Sequence, residues 1–342
     1  IEGRRTAWNY VVINLVSSMM FLLAAGLIYG KTGTLNFAEL RLRFEGSEQS
    51  FLITSSAALL FGAFGIKSAL IPLAFWLPSS YPKLPAPLVA LFAGILTKVG
   101  LYAFFRVFGM VFSNGETFVH QDILLIVANI TIVGGVLGAI AQKEMKKILS
   151  FHIISQVGYM ALALALYTPA AIAAGIFYLA HHIVVKANLF FATDLVEAHA
   201  GSTVIGRATG VLTSSPVITG LFAVSALSLA GLPPLSGFFA KFSLLKAAAT
   251  DQAYFSMTVA VLVGILTLFS MLKIWRGKFW GEVDGGEERH APYRSLVLSC
   301  VLLSLFTIAV GVAAEPLFRY SMDAASVIME PTNYYKAVLK GS

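Results

Sequence analysis

Residues 229–241 read Leu-Ala-Gly-Leu-Pro-Pro-Leu-Ser-Gly-Phe-Phe-Ala-Lys, and they lie inside an apolar run from about residue 213 to residue 247. One bilayer-crossing helix needs only about 20 apolar residues, and this run is far longer. Proline removes a backbone hydrogen-bond donor, so the double proline predicts a break within the run. A break at membrane depth is tolerated only where the freed backbone groups face protein or water. The stretch therefore predicts a broken membrane helix beside Lys241.

The composition of the whole chain is that of a membrane protein. Of its 342 residues, 58% are hydrophobic and 12% are charged, and the mean hydropathy is +0.81. A soluble domain carries about 25% charged residues, so this chain is a polytopic membrane protein with the lipid bilayer as its solvent. The net charge is +7, but no basic patch is interleaved with aromatic residues, and no nucleic-acid partner is expected. The single cysteine, Cys300, excludes a disulfide framework and a cysteine-based metal cluster.

Windows of about 20 apolar residues predict nine membrane-spanning helices along the chain. Their approximate ranges are 7–29, 51–76, 85–112, 121–141, 149–167, 170–192, 213–247, 253–274 and 294–316. The second range is also predicted to be interrupted, because it contains Pro72. The predicted fold class is thus an all-α polytopic membrane protein of about nine transmembrane helices, two of them broken. Paired breaks of this kind are typical of ion or substrate sites.

The distribution of Lys and Arg predicts the orientation in the membrane. With these nine ranges, twelve basic residues fall on the side of residue 1 and six fall on the other side. By the positive-inside rule we expect residue 1 in the cytoplasm and the C-terminus outside the cell. The remaining basic residues lie inside the spans: Lys67, Lys98, Arg106, Lys186, Lys241 and Lys246.

Two of these lysines lie near the centres of their spans. Inserting a central lysine costs about 3 kcal/mol, so a functional role for Lys67 is favoured over an idle charge that snorkels to the interface. Lys98 is spaced by four from Gly94 and Tyr102, and Arg106 follows at the same spacing, which predicts a polar stripe along one helix face. The alternative for Lys98 is a helix-packing stripe in which its ammonium binds backbone carbonyls.

The sixth span places Tyr178, His182 and Lys186 on one helix face and His181 on another. A histidine four residues from a lysine is suited to proton exchange, since histidine titrates near neutral pH and desolvation favours neutral lysine. A metal site is disfavoured, because no carboxylate or cysteine lies near enough in sequence to complete the ligands. His181 alone is interpreted as a packed, hydrogen-bonded core histidine.

Other polar residues extend this pattern. His152, near the basic loop 143–147, is interpreted either as a site of proton uptake or as an ordinary interfacial residue. No Asp or Glu lies in the interior of a predicted span, and Asp194 and Glu197 come only at the end of the sixth. Burial and cationic neighbours favour neutral lysines, which can then exchange protons. The sequence thus predicts a proton relay of Lys67, Lys98, His182, Lys186 and Lys241, with His152, His181, Tyr102 and Tyr178 as candidates for proton uptake or support.

Several motifs resemble the antiporter-like subunits shared by Mrp-type Na+/H+ antiporters and respiratory complex I. They are Ile66-Lys67 with Pro72 and Trp76-Leu-Pro78, Gly94-Ile-Leu-Thr-Lys98, the Lys143–Ser150 loop with Ser155-Gln-Val-Gly-Tyr159, and Ser228–Lys241. The run His181-His-Ile-Val-Val-Lys-Ala-Asn-Leu-Phe190 is most similar to the D-type subunits of the Mrp group. The matches span about residues 10 to 275, and they are specific as a set.

The resemblance implies a bundle with two inverted five-helix repeats, each with one broken helix. By it, residues 1–116 are the remainder of the first repeat with three helices, residues 117–275 are the second repeat with five, and residues 276–342 hold a loop, the last transmembrane helix and a tail. The family also carries a glutamate that pairs with the lysine equivalent to Lys67. The helix bearing it would precede residue 1, and Glu2 is expected in a polar loop. We therefore expect a C-terminal portion of a subunit, with the acid partner of Lys67 upstream.

The resemblance predicts a proton-translocating subunit of a multisubunit Na+/H+ antiporter in the plasma membrane. The expected partners are other membrane subunits and the lipid bilayer. We expect an ion transporter rather than an enzyme, with no cofactor, and with protons and Na+ or another monovalent cation as transported ions. One alternative is the matching proton-pumping subunit of complex I or of a membrane hydrogenase. Others are a broken-helix transporter of small solutes and a purely structural membrane subunit.

Overall fold

The computed structural model describes residues 2–44, 51–114, 117–207, 209–282 and 294–339, which form a bundle of α-helices. In chain order these are α1 (Glu2–Thr32), α2 (Phe37–Phe44), α3 (Phe51–Ser68), α4 (Trp76–Ser80), α5 (Ala86–Leu91), α6 (Thr97–Arg106), α7 (Gln121–Ala141), α8 (Met145–Leu166), α9 (Pro169–Ala200), α10 (Val211–Ser214), α11 (Pro216–Ala230), α12 (Ser236–Thr250), α13 (Tyr254–Ile274), α14 (Arg294–Val312), α15 (Ala314–Met329) and α16 (Thr332–Leu339). Three π-helical segments continue α5, α6 and α13: Phe92–Leu96, Val107–Val111 and Trp275–Phe279.

Eight helical stretches in the described part of the chain are long and apolar enough to cross a membrane. They are Thr6–Thr32, Phe51–Ser68, Pro87–Val111, Gln121–Ala141, Met145–Leu166, Pro169–Ala200, Tyr254–Phe279 and Arg294–Val312. The predicted seventh span is instead a pair of shorter helices, α11 and α12, separated by a break. The predicted class, an all-α polytopic membrane protein with broken helices, is confirmed.

The break between α11 and α12 lies at the double proline. Helix α11 ends at Ala230, and Gly231 follows in a left-handed conformation with φ +92°, where a side chain would be strained. Leu232, Pro233, Pro234 and Leu235 complete the break, and α12 begins at Ser236. The amides of Gly231 and Leu232 donate to the carbonyls of Leu227 and Ser228. No helix continues beyond Ala230, so the carbonyl of this last residue is available to another donor.

The predicted second span is interrupted as well. Its helix, α3, ends at Ser68 instead of continuing to residue 76, and α4 begins at Trp76, with Pro72 in the connection. The amide of Ile71 donates a hydrogen bond to Thr131 Oγ1 at 3.0 Å. Because Thr131 belongs to α7, the first break is held by a helix from the other predicted repeat. The division into two repeats itself stays a prediction.

Burial separates the inner helices from the outer ones. Within the most apolar window of each span, 94% of α8 is buried, compared with 17% of α1 and 22% of α14. Helices α8 and α9 therefore form the core, and the outer helices present apolar side chains to their surroundings. The C-terminal helices pack back onto the bundle: α15 contacts α9, and α16 contacts α2.

Helix α14 approaches the second break at Gly311. A Cβ atom there would collide with the carbonyl oxygen of Pro234 and would lie 2.9 Å from the Cα of Leu235. No side chain fits between α14 and this loop, so the last span forms one wall of the break.

Two sequence expectations are wrong in detail. Glu2 is the first residue of α1 and does not lie in a polar loop. Helix α8 begins at Met145 and not near residue 149, so Lys146 is part of a helix and is buried. The loop predicted after residue 275 falls largely at 283–293, outside the described residues.

Candidate functional site

Lys67 lies in the last turn of α3, directly before the first break. Its ammonium donates a hydrogen bond to Asn14 Oδ1 of α1 at 2.8 Å. A cation in the last turn of a helix is also favoured by the helix dipole. Asn14 was not predicted as the partner of Lys67, because a neutral amide in an apolar run carries no charge signal.

Lys98 lies in α6 and is buried. Its amine donates to the carbonyl of Ala93 at 2.5 Å, and Ala93 belongs to the π-helical segment before α6. The wider π turn changes the hydrogen-bond register, which makes carbonyls available to side chains. A carbonyl acceptor was expected from the packing interpretation, and it suits an amine in either protonation state.

The predicted stripe along one face of this helix is wrong. Lys98 is 2% exposed, whereas Tyr102 is 58% exposed on the outer surface. Arg106 lies with its guanidinium 5.3 Å from the ring centroid of Tyr334. The neighbouring helices bury the Lys98 side of α6 and leave Tyr102, one turn further along, uncovered. The structure does not bring Tyr102 to the buried lysine.

Helix α9 supplies the next two bases. Lys186 is fully buried and donates to the carbonyl of Leu149 in α8 at 3.1 Å. His182 is also fully buried, and neither ring nitrogen has a hydrogen-bond partner among the described residues. Lys98 comes near this pair because the π-helical segment that precedes α6 packs against α9, with Gly94 facing Ile183 and Ala187. Helices α6 and α9 therefore bring three of the predicted residues together.

The second break carries Lys241 and contacts His181. Lys241 Nζ donates to the carbonyl of Ala230, the last residue of α11, at 2.8 Å. The same ammonium lies 5.5 Å from the ring centroid of Tyr159. His181 Nδ1 lies 2.8 Å from the hydroxyl of Ser236, the first residue of α12. Both broken helices thus place a lysine beside the freed end of a helix.

His152 and Tyr178 lie inside the bundle. His152 is fully buried, and its Nε2 lies 2.9 Å from Ser270 Oγ. The interfacial interpretation of His152 is wrong, because α8 begins seven residues earlier and carries the ring into the core. The hydroxyl of Tyr178 donates to Gln156 Oε1. No group of three or more His, Cys, Asp or Glu side chains in the described residues could hold a metal ion.

Comparison with known proteins identifies the family. The family model described as NADH:quinone oxidoreductase/Mrp antiporter, TM, matches residues 3–267. The chain belongs to this family. The D-type subunit of the Na(+)/H(+) antiporter of Alkalihalophilus pseudofirmus is 46% identical over 337 residues, which cover 98% of this chain and 68% of that protein. The corresponding D-type protein of Bacillus subtilis is 36% identical with the same coverage.

Chains of two solved complexes have a similar fold. A chain of the Mrp complex from Dietzia sp. matches with a TM-score of 0.93 and 34% identity, covering 99% of this chain and 71% of that one. A chain of respiratory complex I from Thermus thermophilus matches with a TM-score of 0.83 and 27% identity, covering 96% and 69%. The family match ends at residue 267, so α14, α15 and α16 lie beyond it.

The protein also contains a cluster of salt-bridged side chains, here called the ion cluster, that was not predicted from the sequence. Lys146 Nζ lies 2.8 Å from Asp194 Oδ1 and 2.5 Å from Glu197 Oε2. Lys146 and Asp194 are buried, while the side chain of Glu197 is 45% exposed. The signal was present as one base at the start of α8 and two acids at the end of α9. An antiparallel helix pair brings such ends together.

Proposed function

We propose that the chain is the proton-translocating subunit of a multisubunit Na+/H+ antiporter and that its buried bases relay the protons. The relay consists of Lys67, Lys98, His182, Lys186 and Lys241. The observation that carries the proposal is the cluster of three buried bases on α6 and α9, set between two broken helices that each bear a lysine. The relatives are named as D-type subunits of Na(+)/H(+) antiporters, which supports the same function.

The hydrogen-bond partners of these bases suit proton exchange. Lys98, Lys186 and Lys241 each donate to a backbone carbonyl. A carbonyl accepts from a neutral amine as well as from an ammonium, whereas a carboxylate would hold a lysine in its charged form. Charging one base in a low-dielectric interior discourages charging of its neighbour. A proton that binds one base therefore promotes release of the proton held by the next base.

The setting in the membrane follows from the same features. We infer a multi-pass protein of the plasma membrane with residue 1 in the cytoplasm and the C-terminus outside, on the basis of the Lys and Arg distribution. The apolar outer faces of α1 and α14 suit lipid and other membrane subunits, and the matched structures are multisubunit complexes. The transported ions are protons and Na+ or another monovalent cation, and the transport requires no cofactor and no enzymatic step.

The test is transport by the complex reconstituted in vesicles. Lys67→Ala and Lys241→Ala should each abolish the Na+-dependent pH change, whereas Lys246→Ala should retain it, because Lys246 lies on the exposed face of α12. Retained transport in both of the first two variants would refute the relay and would support a structural subunit.

A redox-driven complex is the second candidate, and the match to complex I favours it. In such a complex the same bases would be driven by electron transfer in partner subunits. Absorbance spectra of the purified native complex separate the candidates: flavin and iron–sulfur bands indicate the redox complex, and their absence supports the antiporter.

A further inference from the structure

Helix α12 carries a row of four side chains that changes from aromatic to polar toward the end of the helix. Phe238 and Phe242 are spaced by four, and their rings stack with centroids 5.5 Å apart. Lys246 and Thr250 continue the same spacing, so the four residues share one face. From Phe238 to Thr250 the row rises about 18 Å, compared with a hydrocarbon thickness of about 15 Å for one leaflet of a bilayer.

A groove of about 550 Å³ lies beside this row, between α12, the first turns of α9 and the start of α15. Phe177 of α9 and Phe318 of α15 line it, with ring centroids 6.2 Å apart. Phe242 of α12 lines it as well, and this side chain is 53% exposed. Clefts of about 300–1,000 Å³ with aromatic and apolar walls are typical of ligand sites. The groove therefore has the size and the lining of a site for an apolar chain.

The polar end of the groove carries a positive charge. Lys246 lines the groove with an exposed side chain, and its amine has no hydrogen bond or ion pair within the described part of the chain. Glu315 also lines the groove, but its carboxylate pairs with Arg319 Nη2 at 2.5 Å. The charge of Glu315 is thereby neutralised by its own helix, and the charge of Lys246 remains for a ligand.

We propose that this groove binds a phospholipid of net negative charge, with its phosphate on the Lys246 ammonium and an acyl chain along Phe242 and Phe238. A lysine near the end of a membrane helix extends its amine to the interface, where lipid phosphates lie. Basic residues at this depth attract anionic headgroups. A partner subunit would have to place an acid opposite Lys246 at the same depth, whereas a lipid carries its phosphate there in every bilayer.

The bound lipid contacts three helices at once, because α9, α12 and α15 all line the groove. Helix α12 begins at the second break and is not continuous with α11, so its position depends on contacts with its neighbours. A ligand that binds only the folded arrangement stabilises it. The residues that line the groove include no member of the relay, so the lipid site does not depend on the proposed function and is tested separately.

Thermal unfolding of the purified complex in detergent tests the site. Three probes are added in turn: phosphatidylglycerol, phosphatidylcholine with the same acyl chains, and glycerol phosphate, which has the charged headgroup alone. We expect phosphatidylglycerol to raise the thermal midpoint by about 2 °C more than phosphatidylcholine, because it adds a net charge opposite one lysine. Glycerol phosphate should leave the midpoint unchanged. Equal shifts from the two lipids, or a full shift from glycerol phosphate, would contradict an anionic lipid in this groove.

Three variants assign the shift to the groove. Lys246→Met should remove the preference for phosphatidylglycerol, whereas Lys31→Met, which changes an exposed lysine in the last turn of α1, should keep it. Phe242→Ser should reduce the shift from both lipids. Each shift is measured from the variant's own midpoint without lipid, so a change in stability does not affect the comparison. If Lys246→Met keeps the full preference, the lipid binds elsewhere or another subunit covers the groove, and the proposal fails.

Discussion

Lys67 and Asn14 are joined by a hydrogen bond of 2.8 Å between side chains that lie 53 positions apart in the chain. The acceptor is a neutral amide, so it stabilises the ammonium without fixing its charge. The first predicted relay residue is therefore bound to α1, and any movement of α1 changes the environment of Lys67.

Replacing Asn14 tests this bond. Asn14→Leu removes the acceptor and should lower the free energy of unfolding by about 1 kcal/mol, the usual net value of one hydrogen bond. Asn14→Asp supplies a full negative charge, which favours protonated Lys67, and should slow Na+-dependent proton transport. Ser18→Ala, one turn away on an exposed face, is the control. Unchanged transport in Asn14→Asp would argue against proton release from Lys67.

Gly237 tests the packing of the second break. A Cβ at this position would collide with the carbonyl oxygen of Ser228, so Gly237→Ala forces α11 and α12 apart. We expect a loss of about 1–3 kcal/mol of stability, as in other overpacked cores, and a lower thermal midpoint in detergent. Gly264→Ala is the matched control, because no heavy atom lies within 4 Å of the added carbon. Equal midpoints for the two variants would contradict the close approach.

Replacing Lys98 should separate function from stability. Lys98→Met keeps the length of the side chain and removes a buried amine whose described partner is one carbonyl. Since burying a polar group costs about 1–3 kcal/mol where hydrogen bonds do not compensate, we expect a higher thermal midpoint together with lost transport. Lys246→Met, on the exposed face of α12, should change neither quantity. A lower midpoint for Lys98→Met would indicate that the lysine serves the fold.

Replacing Lys146 in the ion cluster should destabilise the protein, in contrast to replacing Lys98. Lys146→Ala leaves the buried carboxylate of Asp194 without its cation, which should destabilise the protein by about 3–5 kcal/mol. Adding Asp194→Leu should restore much of that stability, because no unpaired buried charge remains. A double variant as unstable as the single one would show that the loss arises from packing and not from charge.

The sequence was informative where the physical cause is local. Both breaks were predicted at prolines, since proline disrupts a helix whatever surrounds it. The shared position of His182 and Lys186 in the core followed from their spacing on one helix. Side chains that meet across helices were not predicted, because the pairing of Lys67 with Asn14 depends on which helices are neighbours.

Other features gave only a weak signal in the sequence, or none. The serines that contact Asn188, which are Ser225 and Ser304, are ordinary in apolar runs, where they serve packing as often as hydrogen bonding. The π-helical segment before Lys98 has the same composition as the α-helix around it, so the carbonyl of Ala93 could not be identified as an acceptor. The sequence pattern places Lys146 in a basic loop, because a charged residue near a span end usually lies in water.

The contact of Gly311 with the second break has a mechanical consequence. One face of α14 touches the backbone of Pro234 and Leu235 with no side chain between them, while Leu298 and Leu302 are exposed on the helix. A rigid helix transmits displacement along its whole length, so a load on the exposed residues moves the loop that precedes Lys241. A molecule that packs against the exposed residues of α14 is therefore separated from the loop of the second break by this one helix.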